Sequence, residues 1–140
     1  MKRDVLSLKA LWIFVFSYLL NFLWESVHAV LFYAGLSEYK AASFVKLIAY
    51  ASFVDALIIV GIYFVGSLFF KGEWLGKSCG GWFTVIMGVL IAAIIEAKAL
   101  YLHQWSYNDW MPTVAGLGVS PLIQLAATGL FVFYIISRQK

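Results

Sequence analysis

The chain has 140 residues, enough for one compact domain, and a formal net charge of +3. Of its residues 64% are hydrophobic and only 12% are charged, whereas soluble domains contain about 25% charged residues. So few charged side chains cannot cover a water-facing surface, which excludes soluble enzymes, disordered tails and, with Cys79 as the single cysteine, disulfide scaffolds. No basic stripe exists, so we expect no nucleic-acid partner. The composition indicates an integral membrane protein with one membrane domain, 1–140.

Four apolar segments are each long enough to cross a bilayer, which takes about 20 residues of helix. The first, 10–34, follows a basic N-terminus and lacks a small-residue cleavage site, so we predict a retained helix rather than a signal peptide. The second segment, 43–70, is long enough to tilt. The third and fourth segments cover 81–102 and 113–137, and a polar, aromatic loop at 103–112 separates them.

Short connections between these segments predict an all-α, up-down-up-down four-helix bundle. Basic residues orient it, because cytoplasmic loops are enriched in Lys and Arg. With both termini in the cytoplasm, the inner side holds the larger basic group: Lys2, Arg3, Lys9, Lys71, Lys77, Arg138 and Lys140. The outer side or outer helix ends then hold Lys40, Lys46 and Lys98. We therefore predict a multi-pass protein of a prokaryotic inner or plasma membrane with both termini cytoplasmic.

Three acids lie within the apolar segments, where an unpaired charge costs on the order of 3 kcal/mol. Helical rise places Glu25 about 13 Å and Asp55 about 18 Å from the outer helix ends. Glu96 is shallower, and Gln124 is about as deep as Asp55. Because the inner half of the bundle is almost purely apolar, these positions predict an acidic cavity that opens towards the outer side.

The polar residues of the first helix, Tyr18, Asn21, Glu25 and His28, follow helical spacing and share one face. This face must point into the bundle, since lipid would leave its polar groups unsatisfied. On the second helix, Ser52 lies beside Asp55.

Small and polar residues also mark interior faces on the last two helices, where close helix approach needs small side chains. They are Gly88 and Ala92 in the third helix, and Gly116, Ser120, Gln124 and Thr128 in the fourth. Pro121 lacks an N–H for the Leu117 carbonyl, which predicts a kink in the fourth helix near the depth of the acids.

We interpret this layer as a site for acid–base chemistry on, or binding of, a hydrophobic molecule of isoprenoid or lipid class. Carboxyls buried together do not all ionise, so one remains a proton donor. We expect Glu25 to donate the proton, Asp55 to be its partner, and Glu96 to complete the catalytic group. The predicted substrate-binding residues are Asn21, Trp24, His28, Trp105, Tyr107, Ser120 and Gln124. Aromatic faces stabilise cations, although Trp and Tyr also gather at membrane interfaces.

Three alternatives stay open. Intramembrane carboxylates also mark proton-coupled transporters or ion-binding proteins, and a carrier with so few helices requires a dimer. The polar layer of an accessory or scaffold subunit would only specify helix partners. Glu25-x-x-His28 matches the glutamate–histidine spacing of di-iron bundles, but those sites need two copies and the chain has one. We therefore expect no metal and no cofactor. The expected partners are the lipid bilayer, a hydrophobic small molecule and a second copy of the chain.

The combined motif resembles a family of small, uncharacterised prokaryotic four-helix membrane proteins, and the likeness covers most of the chain. The matching elements are Asn21-x-x-Trp24-Glu25, Asp55, Glu96, Trp105-x-Tyr107, Met111-Pro112 and Gly116-x-Gly118-x-x-Pro121-x-x-Gln124. The resemblance implies the four-helix fold but no activity. His28 stands where that family has glutamine, which weakens the metal alternative further.

The first helix alone is similar to membrane-bound terpene cyclases of the meroterpenoid pathways, through Asn21-x-x-Trp24-Glu25. In those enzymes a membrane glutamate protonates an epoxide or alkene, so the likeness implies that role for Glu25. The cyclases have more helices, and one chain here corresponds to part of such a bundle.

Overall fold

The computed structural model describes residues 2–35, 40–70 and 74–139, and the side chains from residue 8 onward. It contains the helices α1 (Lys2–Phe32), α2 (Ala41–Phe69), α3 (Ser78–Tyr101) and α4 (Val119–Arg138), with strands β1 (Thr113–Val114) and β2 (Leu117–Gly118) between α3 and α4. Among the residues used to orient the bundle, Lys71 and Lys140 lie outside the described residues, as do the side chains of Lys2 and Arg3.

All four helices are long and apolar enough to cross a membrane, over Leu8–Phe32, Ala41–Phe69, Ser78–Tyr101 and Val119–Arg138. Large apolar side chains are exposed on every helix, as expected for a surface that faces acyl chains; examples are Leu23, Leu68, Ile94 and Phe131. The prediction of four helices that are each long and apolar enough to span a membrane is therefore confirmed.

Helix packing is uneven around the bundle. α1 packs along α2, α3 packs along α4, and α1 also contacts α4, whereas α2 and α3 make few contacts with each other. The close approach of α3 and α4 depends on Gly88, because a Cβ there would lie 2.7 Å from the Ala126 backbone nitrogen. The interior position predicted for Gly88 is thus confirmed by its contact with the α4 backbone.

An aromatic cluster closes the end of the bundle where α2 ends and α3 begins. Trp74, only 3% exposed, follows the α2–α3 connection and packs its ring against Tyr63, Phe83 and Phe133. Its indole Nε1 donates to Ser67 Oγ at 3.2 Å. One side chain thereby joins α2, α3 and α4 at this end.

The segment 113–118 is a β-hairpin, so the prediction that the fourth helix starts at residue 113 is wrong. Ala115 and Gly116 have φ angles of 52° and 81°, and two consecutive left-handed residues form a tight hairpin turn and cannot continue a helix. The exposed Gly116 therefore does not belong to the interior stripe of α4. Pro121 lies in the first turn of α4. Backbone N–H groups in a first turn have no intrahelical acceptor, so proline removes no helix hydrogen bond here, and the predicted kink is also wrong.

Candidate functional site

A cavity of about 1110 Å³ lies between the helices at the end where α1 finishes and α4 begins. Its wall includes Glu25, Asp55, Glu96 and Gln124, which come from four different helices, together with His28. The structure thus places the three acids predicted from the sequence in the lining of one cavity. Further lining side chains that matter below are Leu47, Tyr50, Ala51, Val54, Ala92, Ile95, Trp105 and Tyr107.

The side-chain amide of Gln124 joins α1, α2 and α4. Its Nε2 atom lies 2.8 Å from Glu25 Oε1, 2.8 Å from Asp55 Oδ2 and 3.0 Å from Asn21 Oδ1. Asn21 donates its own Nδ2 to the Ser17 carbonyl at 2.9 Å, which leaves Oδ1 as the acceptor facing Gln124. An amide nitrogen carries two hydrogens, so these three oxygens compete for two N–H groups.

Glu25 and Asp55 therefore converge on one uncharged donor. Within the described part of the chain, no Lys or Arg forms an ion pair with either carboxyl. Two neighbouring carboxylates without a counter-cation repel each other, and a proton held by one of them removes that repulsion. The arrangement suits a pair that exchanges a proton with a bound molecule.

Thr128 also belongs to the group of polar side chains around Gln124, although its sequence spacing indicated only a small interior residue. Its Oγ1 donates to the Gln124 carbonyl at 2.8 Å and lies 3.4 Å from Asn21 Oδ1. One helical turn separates it from Gln124, so the stripe at steps of four was the available signal.

His28 links the end of α1 to the first turn of α4. Its Nδ1 lies 2.8 Å from Ser120 Oγ, and its ring meets those of Tyr33 and Tyr107 edge to face. These contacts leave His28 only 3% exposed. His28 and Ser120 are two of the residues predicted to bind substrate, and in the structure their contact holds α1 and α4 together.

Glu96 differs from the other two acids because the chain itself supplies partners for both of its oxygens. Oε2 accepts from the Tyr107 hydroxyl at 3.1 Å, and Oε1 accepts from the Gly118 backbone N–H at 3.2 Å. Burial raises the pKa of the Tyr107 phenol, and the adjacent carboxyl raises it further, so this phenol stays a donor. Glu96 thus anchors the loop and the hairpin; no sequence pattern pointed to the backbone of Gly118 as its partner.

The loop after α3 is also bonded to the end of α1. Asn108 donates its backbone N–H to the Phe32 carbonyl and its Nδ2 to the Leu31 carbonyl, both at 2.8 Å. Ala34 N–H donates to the Ser106 carbonyl at 3.1 Å. These bonds hold Trp105 and Tyr107, two of the predicted binding residues, in the cavity lining.

Several predicted residues lie away from this cavity. Trp24 and Ser120 line a separate, largely apolar cavity of about 510 Å³ between α1 and α4, which His28 also borders. Tyr18 stacks on Phe14 instead of joining the polar cluster. Ser52 donates to the Ile48 carbonyl of its own helix.

The described residues contain no group of three or more His, Cys, Asp or Glu side chains that could hold a metal ion. Comparison of the chain with protein-family models, with curated proteins and with solved structures found no match.

Proposed function

We propose that the chain is a membrane protein that binds a hydrophobic molecule of isoprenoid or lipid class in the acidic cavity and performs acid–base chemistry on it. The observation that carries this proposal is the convergence of Glu25 and Asp55 on the single amide of Gln124 in the cavity wall. Such a pair offers an acid and a base at one place, which general acid–base catalysis requires.

In the proposed reaction Glu25 protonates an alkene or epoxide of the bound molecule. The resulting carbocation lies near the ring faces of Trp105 and Tyr107, and aromatic faces stabilise cations. Asp55 then accepts a proton from a neighbouring carbon, which restores a neutral product with a new double bond. Gln124 and Asn21 orient the two carboxyls, and Glu96 positions Tyr107.

The proposal includes the topology predicted from the sequence: an up-down-up-down bundle, both termini in the cytoplasm, in a prokaryotic plasma membrane. The cavity then lies in the outer half of the bilayer. We also propose that the chain forms a homodimer and that it is related to the small prokaryotic four-helix membrane proteins that it resembles. The likeness of the first helix to membrane-bound terpene cyclases supports Glu25 as the proton donor.

Native mass spectrometry of the purified protein tests this function. We expect the wild type to carry a hydrophobic molecule, and Glu25→Gln to carry a substrate form in its place, because binding survives when proton transfer is lost. Asp109→Asn, which removes an exposed loop carboxyl, is the matched control and keeps the wild-type ligand. Empty protein in all three samples would contradict the proposal.

A proton-coupled transporter is the second proposal, since acids in a cavity also bind and release protons. It requires a path to the far end of the bundle, where the rings around Trp74 fill the space between α2, α3 and α4. A transporter would move protons or substrate across liposomes without forming product, and Glu25→Gln would abolish that flux. In a scaffold, the substitution would change only stability or partner capture.

A further inference from the structure

Some side chains of α2 and α3 line the cavity and are also exposed on the outside of the bundle. On α2, Tyr50 is 70% exposed and Leu47 40% exposed; on α3, Ile95 is 37% exposed. A side chain that borders both the cavity and the surface marks an opening between them; by the same criterion, the exposed lining residues Ser43, Lys98, His103 and Gln104 mark a second, polar opening at the loop end. We call the first opening the α2–α3 slit and define it by the lining residues Leu47, Tyr50, Ala51, Val54, Ala92 and Ile95.

Within the described residues, α2 and α3 make few contacts with each other. The rings of Phe70, Trp74 and Phe83 join the end of α2 to the start of α3. α2 packs mainly along α1, and α3 packs mainly along α4. At the end away from Trp74, side chains of both α2 and α3 line the cavity.

The residues of the slit lie within the candidate membrane spans of α2 and α3. Tyr50 and Val54 follow the start of α2 by about 14 and 20 Å of helical rise, and Ile95 precedes the end of α3 by about 9 Å. The six side chains that define the slit carry no charge, and Lys98, which also lines the cavity, lies one helical turn beyond Ile95 towards the end of α3. A charged head group that passes between these six side chains would lose its hydrating water and gain no charged partner among them, at a cost of several kcal/mol.

We propose that the substrate reaches the cavity sideways from the bilayer through the α2–α3 slit, and that it is an uncharged, chain-like lipid. Its polar or unsaturated end contacts Glu25 and Asp55, and its hydrocarbon chain lies between Tyr50 and Ile95. The cavity volume of about 1110 Å³ lies just above the range of about 300–1,000 Å³ that is typical of small-molecule sites. This inference rests on the proposed function, since it describes access to the same site.

Photolabelling tests the route. Purified protein in phosphatidylcholine vesicles is irradiated with a diazirine analogue of farnesol, an uncharged isoprenoid alcohol, and labelled residues are mapped by mass spectrometry. We expect label on Glu25 or Asp55 in the wild type. Ala51→Trp and Ile95→Trp, which narrow the slit from α2 and from α3, lower this label at least fivefold.

Two matched variants separate the slit from other routes. Ala97→Trp adds the same ring at an exposed α3 position outside the cavity lining, and we expect wild-type labelling. Ser43→Trp adds it near the start of α2, at the other exposed edge of the cavity, and we expect less than a twofold loss. Size-exclusion profiles identify variants that fail to fold, and either folded slit variant suffices.

The remaining outcomes distinguish failure of the route from failure of the function. Unchanged deep label in the folded slit variants, with loss in Ser43→Trp, would overturn entry through the slit but leave the proposed function standing. Absence of label on Glu25 and Asp55 in the wild type would overturn both. Crosslinks from α2 of one copy to α2 of another would assign the slit to a dimer contact and overturn lipid entry.

Discussion

The two ends of the bundle are built in opposite ways. Around Trp74, aromatic and aliphatic side chains fill the space between three helices, and Trp74 is only 3% exposed. Around Gln124, polar side chains from different helices bond to one another and a large cavity remains beside them. The comparison indicates that packing at one end holds the helices together, so that the other end can keep open space and costly buried acids. The following substitutions test this division.

The largest expected effect is on stability at the aromatic end. Trp74→Ala removes the ring that joins α2, α3 and α4, and such a truncation lowers the free energy of unfolding by about 3–5 kcal/mol. Thermal unfolding in detergent measures the loss. Trp82→Ala is the control, because the Trp82 side chain is 69% exposed on α3. Equal melting temperatures for the two variants would contradict a packing role for Trp74.

The contact between α3 and α4, which connects the two ends, predicts the next effect. In Gly88→Ala the new Cβ meets the Ala126 backbone, so the helices must separate, at about 1–3 kcal/mol. Gly61→Ala, where a Cβ meets nothing within 4 Å, should keep or slightly raise stability because alanine favours helix. The same unfolding experiment compares them, and a neutral Gly88→Ala would show that the helices do not need this close approach.

At the polar end we expect a moderate loss of stability and a complete loss of function. Gln124→Leu leaves Asn21, Glu25 and Asp55 without their shared donor, which costs about 1–3 kcal/mol. Native mass spectrometry should then show no bound hydrophobic molecule. Gln139→Leu, an exposed glutamine after α4, is the control. If the folded Gln124→Leu protein still carries the ligand, Gln124 is not needed for ligand binding.

The smallest effect concerns the anchor of the loop. Tyr107→Phe removes the hydroxyl that donates to Glu96 and should cost about 1 kcal/mol. Since burial raises the pKa of Tyr107, the phenol is protonated in the folded and unfolded protein from about pH 5 to about pH 9. The phenol itself therefore adds no pH dependence to this cost over this range, so a cost that varies when unfolding is measured at several pH values would report on its acceptor, Glu96. Tyr101→Phe, at an 82% exposed position, should be neutral at every pH.

Different parts of the site were predictable to different degrees. The shared face of Asn21, Glu25 and His28 follows from helical spacing within one segment. The hydrogen bonds of Glu96 to Gly118 and of Ser120 to His28 could not be predicted from the sequence. They depend on the backbone position of the hairpin and on how α1 and α4 are rotated about their axes. The hairpin at 113–118 was missed since its apolar residues continue the hydropathy of α4, although Gly116 and Gly118 were a usable signal. The catalytic role of Glu25 and Asp55 stays a prediction.

That four helices of this chain are long and apolar enough to cross a membrane follows from the amino-acid sequence alone. Length and hydropathy are local properties, and the cost of exposing backbone to lipid leaves helices as the solution. Three features emerge only when the helices pack: Gln124 meets both Glu25 and Asp55, Glu96 bonds to the loop, and the cavity lies between α2 and α3. Those features depend on how each helix is rotated and tilted against its neighbours, which is set by side-chain packing between residues distant in sequence.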